Sequence, residues 1–238
     1  MNFIIPLILV TILSLFFTTS LKKHTSIYYA IASLIAILTT IYEISRLTSD
    51  FKLTGFLGTL EQTSMKGFIS IAFFILVMYA GALDNKLSIT KKLLTIRAEL
   101  AILGSIMILP HAVMYIVRMI VLKIPKFIST GNVQVLYLVY AFIGIIAFII
   151  MLPLFVTSIK GVRKKMQAKR WKQIQRWAYL FYFLAYIHII LSLLNGKVVN
   201  WNKIIYYNII FGGYMILRVL KYRHKVSLKN ANLFRTVN

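Results

Sequence analysis

Seven stretches of mostly apolar residues, each about as long as a membrane-spanning helix, constrain the fold of this chain more than any other feature. A helix needs about 20 such residues to cross a bilayer. We place the predicted spans at residues 2–21, 26–45, 66–83, 98–122, 134–159, 177–196 and 203–220. The sequence therefore predicts an all-α protein, a polytopic membrane helical bundle without a soluble domain.

The composition supports a membrane protein and excludes several other classes. Hydrophobic residues make up 60% of the 238 residues and charged residues only 14%, whereas a soluble domain has about 25% charged residues. Cysteine is absent, which excludes disulfides, iron–sulfur clusters and thiol catalysis. Because there are only five acidic residues and four histidines, a catalytic pair of carboxylates has almost no candidates.

The basic residues indicate the orientation of the helices rather than a nucleic-acid partner. Lys and Arg number 28 and give a net charge of +23, and they lie mainly between the apolar runs. With seven spans, 20 of them fall on one side of the membrane and 7 on the other, and Arg118 lies within a span. The positive-inside rule then predicts a cytoplasmic C-terminus and an external N-terminus. Because the first cations, Lys22 and Lys23, follow the first apolar run, we expect an uncleaved helix rather than a signal peptide.

Two histidines lie in the middle of predicted spans, where an ionisable group is costly and indicates a functional site by default. His111 follows Arg97 by 14 residues, and His188 follows Arg176 by 12. At the helical rise, both therefore lie about 18–21 Å from the cytoplasmic edge. Two imidazoles at one level suit a haem, because zinc needs three or four ligands. Two alternatives remain open at this point: hydrogen bonds that hold the bundle together, and a proton relay.

Residues seven positions away from the two histidines share their helix faces, because seven residues are almost two turns. Arg118 stands at this offset from His111, and Asn195 stands at the same offset from His188. Either side chain would reach a haem propionate. Gly104, seven residues before His111, would let a flat macrocycle approach the backbone. The alternatives are that Gly104 packs against another helix and that Arg118 snorkels to the outer surface.

Two blocks of sequence contain these histidines, RAELAILGSIMILPHAVMY at residues 97–115 and WKQIQRWAYLFYFLAYIH at residues 171–188. They resemble the two haem-ligand helices of the ferric reductase-like transmembrane domain family. Within that family, the chain is most similar to the haem-binding membrane subunit of the bacterial periplasmic methionine sulfoxide reductase system. The resemblance covers about residues 66–220, which follow N-terminal membrane helices at 1–45 and precede a basic cytoplasmic tail at 221–238. The matching positions are Arg97, Leu100, His111, Trp171, Lys172, Ile174, Arg176, Tyr179 and His188.

The resemblance implies a six-helix core that carries haem b, with His111 and His188 as axial ligands of the iron. It implies a cytoplasmic electron donor (reduced flavin, a flavin reductase or quinol) and an external acceptor: ferric iron, oxygen or a partner protein. Because no GxGxxG nucleotide fingerprint follows the helices, we expect the donor to be a separate protein or molecule. The expected location is a bacterial cell membrane, with lipids as further partners and no nucleic acid. The competing hypothesis is a haem-free polytopic scaffold or transporter subunit.

The sequence departs from the family pattern by an extra N-terminal helix and by two residues near the cytoplasmic side. Gln175 stands 13 residues before His188, where the family usually has a histidine, and Arg97 stands at the corresponding level of the other helix. A second, inner haem is therefore not expected, and FMN or a quinone would bridge the distance to the inner surface instead. The same basic segment would equally bind anionic lipid. The candidate contacts for FMN or a quinone are Arg97, Trp171, Lys172, Arg176 and Tyr179.

Overall fold

The computed structural model describes residues 3–49, 52–132, 135–196 and 198–237, with side chains as far as residue 227. These residues form helices and no strand, which confirms the predicted all-α bundle. The helices are α1 (Ile4–Phe16), α2 (Thr18–Lys23), α3 (Thr25–Ser45), α4 (Gly55–Met65), α5 (Phe68–Ala82), α6 (Ser88–Thr95), α7 (Arg97–Met107), α8 (Leu109–Arg118), α9 (Ile124–Thr130), α10 (Val135–Ser158), α11 (Lys160–Lys165), α12 (Ala168–Leu194) and α13 (Trp201–Val237). A π-helical turn, Met119–Lys123, joins α8 to α9.

The part of the chain that the structure describes contains enough long apolar helices for a multi-pass membrane protein. Five are long and apolar enough to cross a bilayer, and α4 and α5 form a sixth span if the pair, bent by 57°, is taken together. The predicted first span differs, because a break at Phe17 divides it into α1 and α2. Helix α1 has 13 residues and is therefore only about 20 Å long. The five long spans are Thr25–Ser45, Arg97–Thr130, Val135–Ser158, Ala168–Leu194 and Trp201–Ser227.

Helix α5 lies at the centre of the bundle, packed against α1, α7 and α13. It is apolar on all faces, and Ala72 and Ala80 are fully buried. Gly67 precedes it with a backbone φ of +70°, a conformation that residues with a β-carbon rarely adopt. The predicted third span is therefore a short helix that meets α4 at a sharp bend. This bend brings the backbone of residues 65–67 beside α8.

Ion pairs connect the N-terminal helices α2 and α3 to α7 and α8. Arg118 of α8 pairs with Glu43 of α3, a carboxylate with only 1% of its side chain exposed. The same carboxylate accepts a hydrogen bond from Arg46, with Nη1 3.2 Å from Oε1. Lys22 of α2 places Nζ 2.9 Å from Oε1 of Glu99 on α7. The helices before residue 46 are thus packed against helices of the predicted haem core.

Helices α10 and α12 pack along their length in opposite directions. The Trp171 indole nitrogen donates to the Thr157 carbonyl near one end, and the His188 ring bonds to the Tyr140 carbonyl near the other. Following the predicted orientation, we call the end with Tyr140 the outer end and the end with Thr157 the inner end. The two ends contain different cavities, and His111 and His188 line the outer one.

Candidate functional site

Two backbone carbonyls orient the two histidines that the sequence singles out. Nδ1 of His111 lies 2.9 Å from the Met65 carbonyl oxygen, and Nδ1 of His188 lies 2.8 Å from the Tyr140 carbonyl oxygen. A carbonyl only accepts, so each Nδ1–H donates. In the neutral rings the lone pair is then on Nε2, which is the arrangement that metal-ligating histidines use.

The separation of the two rings fits two ligands of one metal. Their centroids are 6.1 Å apart, and the ring planes are nearly perpendicular. A ligating imidazole nitrogen lies about 2 Å from its metal and the ring centre about 1 Å further, so rings on opposite sides have centroids about 6 Å apart. Within the described residues, no group of three His, Cys, Asp or Glu could hold a metal ion. The pair therefore suits a metal that brings its other ligands with it, as haem iron does.

Two glycines that the sequence analysis did not identify lie against the imidazoles. A β-carbon built on Gly144 of α10 would lie 2.6 Å from Nδ1 of His188, which is closer than van der Waals contact allows. A β-carbon on Gly67 would lie 3.7 Å from the His111 ring, and the positive φ there already favours glycine. Each imidazole thus packs against a glycine, which has no side chain, close to the carbonyl that orients the ring. The distance from Gly144 to His188 in the sequence gives no signal of this contact.

Both histidines line one cavity of about 410 Å³ between α5, α8, α10, α12 and α13. This volume is within the range of ligand and cofactor sites, about 300–1,000 Å³. The deeper walls are apolar, and the outer walls contain hydroxyl groups and two lysines. The apolar residues include Ile71, Phe74, Ala147, Met151 and Phe181, and the polar ones include Lys66, Tyr115, Tyr137, Tyr140, Ser192 and Lys203.

Comparison with known proteins identifies the family. The sequence pattern of the family described as ferric reductase like transmembrane component matches residues 66–186, just over half of the chain. The chain belongs to this family. The match includes His111 and ends two residues before His188. Membership supports a role in electron transfer within a membrane.

A relative from Treponema pallidum (strain Nichols), described as an uncharacterized protein, is 32% identical over 230 residues. The alignment covers 93% of this chain and 61% of the relative. The chain thus spans less than two thirds of the length of that protein. The similarity extends beyond the ferric reductase-like segment to the N-terminal helices.

The residues predicted as propionate contacts of this ferric reductase-like site do not line the cavity. Arg118 is paired with Glu43, a residue that the sequence analysis did not consider, and it lies outside the cavity wall. Asn195 bonds to the side chain of Tyr140, whose hydroxyphenyl ring does line the cavity. Gly104 packs against Phe74 of α5, so it serves helix packing, which was the alternative interpretation.

The five residues predicted to contact FMN or a quinone do not line one common cavity. Arg97 lines a small inner cavity of about 30 Å³, which holds no more than a few water molecules. Trp171 donates to the Thr157 carbonyl, and Tyr179 contacts Arg218 of α13. Lys172 and Arg176 are exposed.

Gln175, at the position of the missing second histidine, also lines the small inner cavity. Its amide nitrogen donates a hydrogen bond to the Thr157 hydroxyl, with the two atoms 2.9 Å apart. This bond links α12 to α10. The inner level of this bundle is therefore closed by side-chain contacts. The expectation that a second haem is not bound at this level stays a prediction.

Proposed function

We propose that this protein binds one haem b between His111 and His188 and passes electrons across a bacterial cell membrane. The observation that carries the proposal is the geometry of the two rings. Both are fixed by Nδ1–H bonds to carbonyls, their Nε2 lone pairs are available, and their centroids are 6.1 Å apart. A bound haem supplies one-electron chemistry that no side chain of this protein can supply.

The chain contributes binding, orientation and exclusion of water. The Met65 and Tyr140 carbonyls hold the imidazoles in one tautomer and increase the basicity of Nε2. The apolar walls formed by Phe74, Met151 and Phe181 keep water from the deeper part of the cavity. Such an environment favours a macrocycle with a large apolar face.

The direction of transfer follows from the proposed topology, with an external N-terminus and a cytoplasmic C-terminus. Electrons would enter at the inner end from reduced flavin, a flavin reductase or quinol. They would leave at the outer end to ferric iron, oxygen or an external protein. Because the inner cavity is only about 30 Å³, we place an FMN or quinone at the surface of the basic segment, near the exposed Lys172 and Arg176.

A finer proposal concerns the branch of the family. The similarity of the residue 171–188 block to the haem-binding subunit of the periplasmic methionine sulfoxide reductase system favours an external protein as acceptor. Reduction of a purified periplasmic sulfoxide reductase by this protein in proteoliposomes tests that branch separately from haem binding.

The alternative function is a haem-free scaffold or transporter subunit, and one observation favours it. Each imidazole already joins two helical segments, since His111 bonds to the end of α4 and His188 bonds to α10. Interhelical hydrogen bonds of this kind stabilise membrane bundles by themselves.

The difference spectrum between dithionite-reduced and air-oxidised protein, purified in detergent after expression with adequate haem, tests the proposal. We expect sharp b-type bands at one haem per chain. His111→Ala and His188→Ala should lose these bands while remaining inserted, and added imidazole should partly restore them. His224→Ala is the matched control, because His224 is exposed on α13. Wild-type protein that stays colourless after haem reconstitution would favour the scaffold.

A further inference from the structure

The cavity that contains His111 and His188 has a chemical gradient along its length. Antiparallel α10 and α12 form its long wall, from Tyr137 and Ser192 at the outer end to Met151 and Phe181 further in. Residues 137 and 151 are 14 positions apart, which is about 21 Å along a helix. A ligand that matches this cavity therefore has an apolar body and a polar or charged edge at the outer end.

Among the residues that the structure describes, the charged side chains in the cavity wall are those of Lys66 and Lys203. Lys66 lies at the bend between α4 and α5, directly after the residue whose carbonyl orients His111. Lys203 lies in the first turn of α13, one turn before Tyr207, which lines the same cavity. The two cations thus approach the cavity from two separate helices.

Neither lysine is paired with a carboxylate in the part of the chain that the structure describes. The ion pairs there involve Lys22, Arg46 and Arg118 instead, with Glu43 or Glu99 as their partners. The positive charge of Arg118 is therefore already balanced, whereas that of Lys66 and Lys203 is not. An anionic group of a ligand that is buried or half-buried in this cavity needs a cationic partner, because an unpaired charge that loses its water is costly in free energy.

We propose that Lys66 and Lys203 bind the two propionate carboxylates of the haem, an inference that rests on the proposed function. Two cations match two carboxylates in charge, and the propionate edge of a haem is its polar edge. The hydrocarbon edge then faces Phe74, Met151 and Phe181. This assignment takes the place of the expected contacts from Arg118 and Asn195, which lie outside the cavity wall.

The test compares two porphyrins that differ only at the propionates. Haem b and its dimethyl ester are each titrated into the full-length apoprotein in detergent, and the Soret absorbance gives the Kd. The variants are Lys66→Gln and Lys203→Gln. The matched control is Lys126→Gln, since Lys126 is an exposed cation of α9 outside the cavity wall. Lys66→Arg and Lys203→Arg keep the charge.

We expect Lys66→Gln and Lys203→Gln each to raise the Kd for haem b about fivefold, since a charge-assisted hydrogen bond is lost. The dimethyl ester should bind equally to wild type and both variants, and both arginine variants should recover most of the haem b affinity. Unchanged haem b affinity, or equal losses for the two porphyrins, overturns the inference and leaves the proposed function standing. Wild-type protein that binds neither porphyrin overturns the proposed function itself.

Discussion

The outer and inner ends of this bundle use the same two helices, α10 and α12, in different ways. At the outer end, His188 lies over the bare backbone of Gly144 and beside a cavity of about 410 Å³. At the inner end, Gln175 bonds directly to Thr157 across the helix pair, and the cavity there is only about 30 Å³. A single pair of helices thus holds an open site at one level and a closed contact at another.

An open site in this membrane bundle therefore depends on the backbone as much as on the ligand side chains. Gly144 contributes no side chain to the cavity wall. The Tyr140 carbonyl, one turn earlier on α10, accepts a hydrogen bond from the His188 ring and fixes its orientation. At the inner end the Gln175 amide donates to the Thr157 hydroxyl, so two side chains that face each other across the helix pair are joined directly. Polar groups without a hydrogen-bond partner at membrane depth are costly in free energy. At the outer end a backbone carbonyl is the partner of the His188 ring, whereas at the inner end the side chains of Gln175 and Thr157 are each other's partners.

Among the variants that test the difference between the two ends, Gly144→Ala should have the largest effect, and that effect is on haem content. The added β-carbon would lie 2.6 Å from the His188 ring, so the imidazole must move away from its carbonyl partner. We expect haem content to fall several-fold, measured as haem per chain in the purified protein. Alanine favours a helix over glycine by about 1 kcal/mol, so a loss cannot come from a weakened helix.

Gly212→Ala is the matched control for this variant. It is also a glycine within a membrane-spanning helix, but nothing lies within 4 Å of its built β-carbon. Haem content should stay at the wild-type level. If Gly144→Ala retains full haem content and an unchanged spectrum, the seating of His188 on α10 is not needed for the site.

Arg118→Gln is expected to have an intermediate effect, on stability rather than on haem. It removes a partner from Glu43, whose side chain is 1% exposed, while Arg46 remains nearby. Breaking a buried ion pair costs about 3–5 kcal/mol, and the remaining Arg46 should reduce the loss to about 2 kcal/mol. Thermal unfolding in detergent measures it, with Lys126→Gln as the unpaired control. Lost haem affinity at unchanged stability would restore Arg118 as a propionate contact.

Much of the fold could be predicted from the sequence, because apolar runs and loop charges dictate where helices cross a membrane. Depth along a helix also follows from residue counts, which is why the positions of His111 and His188 in the sequence suffice to pair them. The break at Phe17 and the bend at Gly67 could not be predicted. Both depend on how short helices pack against α5, and an apolar run looks the same whether it is straight or broken.

The immediate surroundings of the histidines were less predictable than the histidines themselves. Gly144 and the carbonyl of Met65 are distant in sequence from the rings that they contact, and a backbone acceptor has no residue signature. The partner of Arg118 could not be predicted either, because Glu43 is on another helix and residue spacing gives no distance between helices. The contacts expected for FMN or a quinone remain predictions: Arg97 lines the small inner cavity, and the other four residues line neither of the two cavities described above.

The smallest effect is expected from Gln175→Leu, at the closed inner end. The variant loses the amide donor to the Thr157 hydroxyl, but that hydroxyl keeps its bond to the Pro153 carbonyl, so no group is left without a partner. Interhelical hydrogen bonds in membranes contribute about 0.6 kcal/mol on average, and the loss of stability should be of that size. Thermal unfolding measures it against Gln173→Leu, an exposed glutamine on the same helix. Haem content and midpoint potential should match those of the wild type, because the packing that holds His188 lies more than two turns away. A changed potential in Gln175→Leu alone would mean that the two ends of the bundle act as one site.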